Sequence, residues 1–304
     1  MLLDYLDKKK ISCPINLKEL GCDKLTPIHD SNGYLFKRDD LFEPFEDLPL
    51  NGGKVRQCLK LIHGNYDYIV KHCNSKIATA SSVFSPQSII VTRVAHEFGF
   101  KSLIAVGGQK NILDSIKKHS MLSLCNIYQA KIINVSSFGY NNAIYSELNK
   151  TIRTNKHFIV NFGMKSKLNK KFVLRPIEDQ VSNLPDEINN LIVPVGSAIS
   201  FSAILRGIKR YEKKVNKIIG IQIANIDRSS VVKGLVQGIK YVLIRDPTYK
   251  YHTHVDLSLD RMSLDPIYEA KAFAYAEKMK YIKQDNNDLF WIVGNTIQIR
   301  GLKL

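Results

Sequence analysis

The chain has no apolar run of the roughly 20 residues that a membrane-spanning helix needs. Its longest runs, such as 191–195, are of strand length. Residues 1–8 carry charge where an export leader would keep its apolar stretch, so no leader is expected. Cysteine is scarce: the 5 present include no C-x-x-C pair, and the odd number argues against a disulfide framework. Zinc-ligand spacing is absent as well, and no metal is expected. These absences together point to the cytoplasm. Acids are outnumbered, 28 Asp and Glu against 44 Lys and Arg, for a net charge of +16. Such an excess favours polyanions and says nothing about fold.

What is present reads as a globular α/β protein. At 304 residues, with 44% hydrophobic and 24% charged residues, one large domain or two modest ones are expected. Strands over 34–38, 76–80, 102–106, 131–135 and 157–160 alternate with helices over 55–64, 86–97, 111–124 and 141–154. The 102–106 strand ends at Gly107-Gly108. The second half repeats the theme. A strand over 191–195, whose Pro194 marks a strand end or an edge, precedes a helix over 201–213. A strand over 217–223 and a helix over 229–239 follow. A polar, aromatic loop covers 245–261, then come a helix over 266–280 and a last strand over 289–293. This alternation predicts parallel sheets with right-handed crossovers and a ligand cleft at shared strand ends.

Four stretches sit where such folds bind ligands. Gly52-Gly53-Lys54 delivers a lysine to the first turn of a helix. Burial beside the helix dipole would lower its pKa and suit an amine nucleophile; a surface lysine after a turn is the plainer alternative. Ser85-Pro86-Gln87 offers a hydroxyl and an amide at a helix start, or simply an N-cap serine and a surface glutamine. Gly196-Ser197-Ala198-Ile199-Ser200 leaves backbone N–H groups free for a phosphate, yet is neither G-x-G-x-x-G nor a Walker A sequence. Asp265-Pro266-Ile267-Tyr268-Glu269 opens a helix with a carboxylate and a phenol, or with acids merely favourable near its dipole. Two basic clusters, Lys165, Lys167, Lys170, Lys171 and Arg175, then Lys209, Arg210, Lys213, Lys214 and Lys217, are either solvated faces or a nucleic-acid patch.

Together these stretches carry a resemblance. Lys37-Arg38-Asp39-Asp40 with Asn51-Gly52-Gly53-Lys54-Val55-Arg56 resembles the K-R-E-D and G-G-N-K-x-R-K segments of the 1-aminocyclopropane-1-carboxylate deaminase and D-cysteine desulfhydrase family. Ser85-Pro86-Gln87 with Val94-Ala95-His96-Glu97-Phe98-Gly99 is similar to its S-N-Q helix, and Asp265-Pro266-Ile267-Tyr268-Glu269-Ala270-Lys271 to its D-P-V-Y-E-G-K. Leu289-Phe290-Trp291-Ile292-Val293-Gly294 resembles its closing strand. The match runs in order over 25–294. It implies the tryptophan synthase β-like fold (fold type II): two open, twisted, mainly parallel sheets flanked by helices. Residues 1–61 and 166–304 would form the larger, cofactor-binding domain, and 62–165 the smaller, substrate-side domain.

By the same resemblance the cofactor is pyridoxal 5'-phosphate. Lys54 would hold it as a Schiff base and move protons at the substrate α-carbon. Ser197, Ala198 and Ser200 would hold the phosphate. Glu269 would face the pyridine nitrogen. Tyr268 would act in acid–base or nucleophilic steps, and Ser85 and Gln87 would bind the substrate carboxylate, with Ser85 counted among the catalytic groups. Tyr249 and Tyr251 are candidates for a second substrate tyrosine. Pro86 stands where the family has asparagine, and Ile199 is bulky for a phosphate loop, where a positive φ would strain it. The implied activity is that of a lyase or deaminase acting at the α-carbon of an amino acid or amino-acid-like substrate, in a homodimer. Two alternatives stand beside it. One is a pyridoxal-phosphate enzyme that modifies an amino acid attached to nucleic acid, as in viral DNA hypermodification, which the basic surface would suit. The other is a binding protein of the same fold without catalysis.

Overall fold

The computed structural model describes residues 11–107, 112–135, 141–152, 156–166, 168–223, 227–251, 253–260 and 262–302. The fold opens with an antiparallel hairpin, β1 (Ile28–Ser31) and β2 (Tyr34–Arg38), followed by helices α1 (Gly53–Gly64) and α2 (Tyr66–His72). Strict alternation begins there: β3 (Lys76–Ser82), α3 (Gln87–Glu97), β4 (Lys101–Gly107), α4 (Ile112–Lys118), α5 (Ser120–Ile127), β5 (Lys131–Val135), α6 (Asn141–Thr151) and β6 (Phe158–Val160). The chain continues with α7 (Lys170–Glu178), β7 (Glu187–Val195), α8 (Ile199–Arg210), β8 (Lys214–Gln222), α9 (Ser229–Lys233) and β9 (Val242–Arg245). A two-residue-per-strand hairpin, β10 (Ser258–Leu259) and β11 (Met262–Ser263), precedes α10 (Glu269–Lys278), β12 (Leu289–Ile292) and α11 (Ile297–Gly301).

Two main sheets result. One has the order β1-β2-β12-β7-β8-β9, parallel in every pair except β1 with β2; the other, β5-β4-β3-β6, is wholly parallel. All strands of the second come from residues 76–160. Side chains alternate across a strand, so a strand buried on both faces must be apolar throughout. β12 illustrates this. Leu289 and Trp291 join the core under α1, α7 and α8, while Phe290 and Ile292 join a second core under α10. In that second core, Phe36, Phe273 and Phe290 pack with ring centroids 5.3–6.0 Å apart.

Several local expectations need correction. Pro194 lies at the end of β7, as one of the two alternatives expected, and not at a sheet edge: β7 is internal, between β12 and β8. The β12 ladder ends at Ile192, so the proline sits past it, while pairing to β8 continues to Val195. The helix expected over 229–239 stops at Lys233, and the helix expected from residue 111 is two helices broken at His119. The loop expected over 245–261 contains β10, which pairs with β11. Gly108, Asn111, Thr154, Lys167 and Arg261 lie outside the described residues. No described helix is long and apolar enough to cross a membrane.

Candidate active site

Lys54 is the second residue of α1, and the turn before it is locked to the end of β12. Gly52 adopts φ 95°, and a Cβ there would lie 2.5 Å from the Val293 carbonyl oxygen. Only glycine tolerates both constraints. The Gly53 N–H donates to that carbonyl at 2.9 Å, and the Asn51 side-chain oxygen accepts from Asn295 N at 2.8 Å. Lys54 is half-buried, with Nζ 5.5 Å from the centre of the Tyr268 ring. Burial lowers its pKa, and the Glu269 and Asp265 carboxylates only partly oppose this.

The opposite wall is organised by Asp265, which is buried. One carboxylate oxygen accepts from Ile267 N at 2.9 Å and Tyr268 N at 3.1 Å; the other accepts from Thr296 N at 3.0 Å and from the Thr296 hydroxyl. This side chain therefore aims the start of α10 and ties it to the loop after β12. Glu269 follows, also buried, and among the described residues no cationic side chain forms an ion pair with it. Burial first, then the neighbouring Asp265, pushes its pKa well above the usual carboxylate range. Tyr268 donates to or accepts from Tyr251 at 2.6 Å. Burial and that contact hold the Tyr268 phenol far above its ordinary pKa, as a neutral hydroxyl. Of the two candidate tyrosines, Tyr251 meets Tyr268; no side-chain bond links Tyr249 to the site among the described residues. Buried Lys271 secures this placement by donating to the carbonyls of Lys250 at 2.9 Å and Tyr251 at 2.8 Å.

The third wall is the turn into α8. Ala198 takes the left-handed conformation (φ 67°, ψ 4°), and Ile199 is already helical. The bulky residue thus avoids the strained position, and its side chain joins the core. The first N–H groups of a helix have no helical acceptor, so this end is suited to an anion. Gly163 (φ 64°) lies so close to Ser197 that a Cβ would be 2.1 Å from the serine Cβ. Arg228, which the sequence reading missed, donates from Nε to Gly196 O at 3.1 Å beside this turn.

Lys54, Ser197, Ala198, Ser200, Tyr268 and Glu269 all line one narrow cleft, together with Pro86 and Ile90. Ser85 and Gln87 are buried next to it rather than lining it. Gln87 Nε2 donates to Thr79 Oγ1 at 2.8 Å, Tyr145 OH at 3.1 Å and Asn161 O at 3.1 Å, and Oε1 accepts from Gly163 N at 2.7 Å. Its amide is committed to holding the 161–163 loop behind Ser197. Ser85 Oγ accepts from Gln87 N at 3.3 Å, just before α3.

The charged stretch before the Gly-Gly turn is structural. Asp39 accepts from Thr26 Oγ1 at 2.8 Å, Trp291 Nε1 at 3.0 Å and Arg56 at 3.4 Å, all buried beneath Gly53. Lys37 donates to Thr26 O and Asn183 Oδ1, both at 2.6 Å, and burial lowers its pKa to about 8.

No family model matches the sequence. Solved structures do match the fold. An ACC deaminase homologue aligns at a TM-score of 0.69 and 15% identity, covering 92% of this chain and 95% of that one. A pyridoxal 5'-phosphate-dependent aspartate racemase aligns at 0.60 and 9%, covering 94% and 97%. The chain therefore has the fold of the type II pyridoxal-phosphate enzymes. In sequence, it is 23% identical to the O-seryl-dTMP PLP-dependent decarboxylase of Salmonella phage ViI over 364 aligned positions, 94% of this chain and 84% of that protein.

Proposed function

We propose that this chain is a pyridoxal 5'-phosphate-dependent enzyme acting at the α-carbon of an amino acid carried on a thymidine nucleotide, and that it removes the carboxyl group as carbon dioxide. One observation carries the cofactor: a half-buried lysine and a buried carboxyl share a cleft closed by a helix N-terminal turn. The residues fit the group. Glu269, without a cationic bond partner among the described residues, suits a protonated pyridine nitrogen, the Ser197–Ser200 turn suits a phosphate, and Lys54 suits the carbonyl carbon. When bound, pyridoxal phosphate withdraws electrons from the substrate α-carbon and weakens the bonds to it.

The chain's own groups do the rest. Burial lowers the Lys54 pKa and so favours the neutral amine over what a free lysine shows, the form that bonds a carbonyl carbon and can carry a proton to the α-carbon. The Tyr268 hydroxyl, held protonated against Tyr251, is the second donor at that face. Asp265 positions both Tyr268 and Glu269, and Arg228 stiffens the phosphate turn. Decarboxylation is supported by the phage relative's activity and by the apolar part of the cleft lining. A substrate carboxylate held against Pro86 and Ile90 would find few donors there to solvate it, and its departure removes a poorly stabilised charge. A proton then takes its place. A nucleotide-borne substrate is supported by the same relative and by the +16 charge.

A second reading, deamination of a free amino acid, is favoured by the Tyr251–Tyr268 pair beside Lys54 and by the deaminase-like motif around it. Incubation with pyridoxal phosphate, borohydride reduction and peptide mapping tests the cofactor. Product analysis with O-seryl-dTMP and with free L-serine tests the reaction. Label on Lys54 and carbon dioxide without ammonia from O-seryl-dTMP are expected. Ammonia and a keto acid from the free amino acid would establish the second reading. No label and no turnover of either compound would refute both.

A further inference from the structure

A second cavity, of about 460 Å³, adjoins the Lys54 cleft and is lined by Phe84, Lys117, Lys118, His119, His254 and Arg300, with no Asp or Glu among the described residues of its walls. The two spaces share a partition. Arg300 Nε donates to Thr296 Oγ1 at 2.7 Å, on the Lys54 side, and its NH2 donates to Phe84 O at 3.0 Å, two residues before Pro86. Among the described residues no carboxylate pairs with Lys117, Lys118 or Arg300. The Phe84 and His119 rings meet edge to face with centroids 5.6 Å apart, giving the cavity an aromatic wall beside its cations. Elsewhere, the two basic clusters are partly neutralised: Lys213 pairs with Asp186 at 2.8 Å, and Arg175 with Asp179 at 2.8 Å. Unpaired cations converging on one concave site signal an anion more strongly than a charged surface does.

We propose that this cavity is the nucleotide-phosphate subsite, in which Lys117, Lys118 and Arg300 hold a phosphate oxygen set while the amino acid of the same substrate occupies the Lys54 cleft. This deepens, and rests on, the reading of the substrate as nucleotide-borne. The Phe84 ring offers a stacking face for the pyrimidine. Guanidinium and ammonium groups placed around one void match the charge and donor demand of a phosphate monoester or of a phosphodiester in a strand. The same burial and the neighbouring Arg300 and Lys118 lower the His119 pKa, as expected where cations crowd.

The test measures binding, independent of turnover. Titrations at low salt compare dTMP, thymidine and a short oligothymidylate on wild type, on Lys117→Glu/Lys118→Glu, and on Lys170→Glu/Lys171→Glu. All four lysines are exposed, and thermal melts check that each variant folds. The phosphate compounds are expected to bind at least ten-fold more tightly than thymidine. The first double variant is expected to lose at least ten-fold of that affinity, and the second to retain it. Preference for dTMP identifies a free nucleotide as the source, and preference for the oligomer a strand; either upholds the site. Equal binding of thymidine and both phosphate compounds, or loss only in the α7 variant, would overturn it. Borohydride labelling of Lys54 is read separately, so failure of the cofactor reading is distinguishable from failure of this site.

Discussion

Replacing Gly52 by alanine tests whether the turn that presents Lys54 is as constrained as its geometry says. Two costs add. The backbone at φ 95°, ψ 176° is a region open essentially to glycine alone, worth about 1–3 kcal/mol for any other residue. The new Cβ would also sit 2.5 Å from Val293 O and 2.6 Å from Gly294 Cα, both backbone atoms that cannot rotate away. Overpacking of that kind costs about 1–3 kcal/mol. Gly99→Ala is the matched control: its φ is 70°, and a Cβ there has nothing within 4 Å, so only the left-handed strain of about 1–2 kcal/mol applies. With about 2–4 °C of melting temperature per kcal/mol for a domain of 150–250 residues, Gly99→Ala is expected to melt a few degrees below wild type. Gly52→Ala is expected to melt about twice as far below or further. Circular-dichroism melts at matched concentration give the comparison. The Gly52 variant should also take up less borohydride-fixed pyridoxal phosphate at Lys54, because relief of the clash must lengthen the bond from Gly53 N to Val293 O. Equal melting of the two variants, with equal labelling, would refute the reasoning.

Further outcomes follow from the neighbouring groups. Asp39→Ala leaves the fully buried Arg56 and the Trp291 N–H without their acceptor, a loss of about 3–5 kcal/mol in urea unfolding; a change below about 1 kcal/mol would count against the hub. Lys37 has a folded pKa of about 8, below the 10.5 of a free lysine, so the unfolded chain binds the extra proton between these values. Stability therefore rises with pH from about 8 to about 10.5 through this group, and Lys37→Met is expected to show a flatter profile in that window. Parallel profiles for the two proteins would remove Lys37 as the cause. Tyr251→Phe deletes the 2.6 Å contact with Tyr268 and is expected to lower kcat by about 100-fold while Lys54 labelling is unchanged. Unchanged kcat would place Tyr251 outside the proton path.

Much of the architecture was legible because it is written locally. Strand and helix periods follow from side-chain spacing, and the Gly52-Gly53 turn and the Pro266 turn that leads into α10 follow from backbone sterics that act within a few residues. Hence the alternating order, the lysine at the start of α1 and the Asp-Pro-x-Tyr-Glu entry to α10 could be read from the chain alone. Element ends were harder. His119 breaks a stretch that reads as one helix, and Pro194 could not be told from an edge residue until β12 was seen to pair with only part of β7.

What the tertiary structure alone decided concerns partners far apart in the chain. Gln87 reads as a ligand-binding amide, yet it is saturated by Thr79, Tyr145, Asn161 and Gly163, up to 76 residues away. Tyr251 rather than Tyr249 meets Tyr268 because Lys271 holds the carbonyls before and after the Tyr251 Cα. Asp39 serves Trp291 across 252 positions, and Arg300, beyond the last recognisable strand, joins two cavities. The sequence by itself determined which backbone conformations are cheap, and so where a lysine, a carboxylate and a helix N-terminal turn could be displayed. Hydrogen-bond partners are chosen by three-dimensional proximity and burial, which no local pattern encodes, so only the folded chain decided which polar side chains are consumed in holding the site and which are left to act in it.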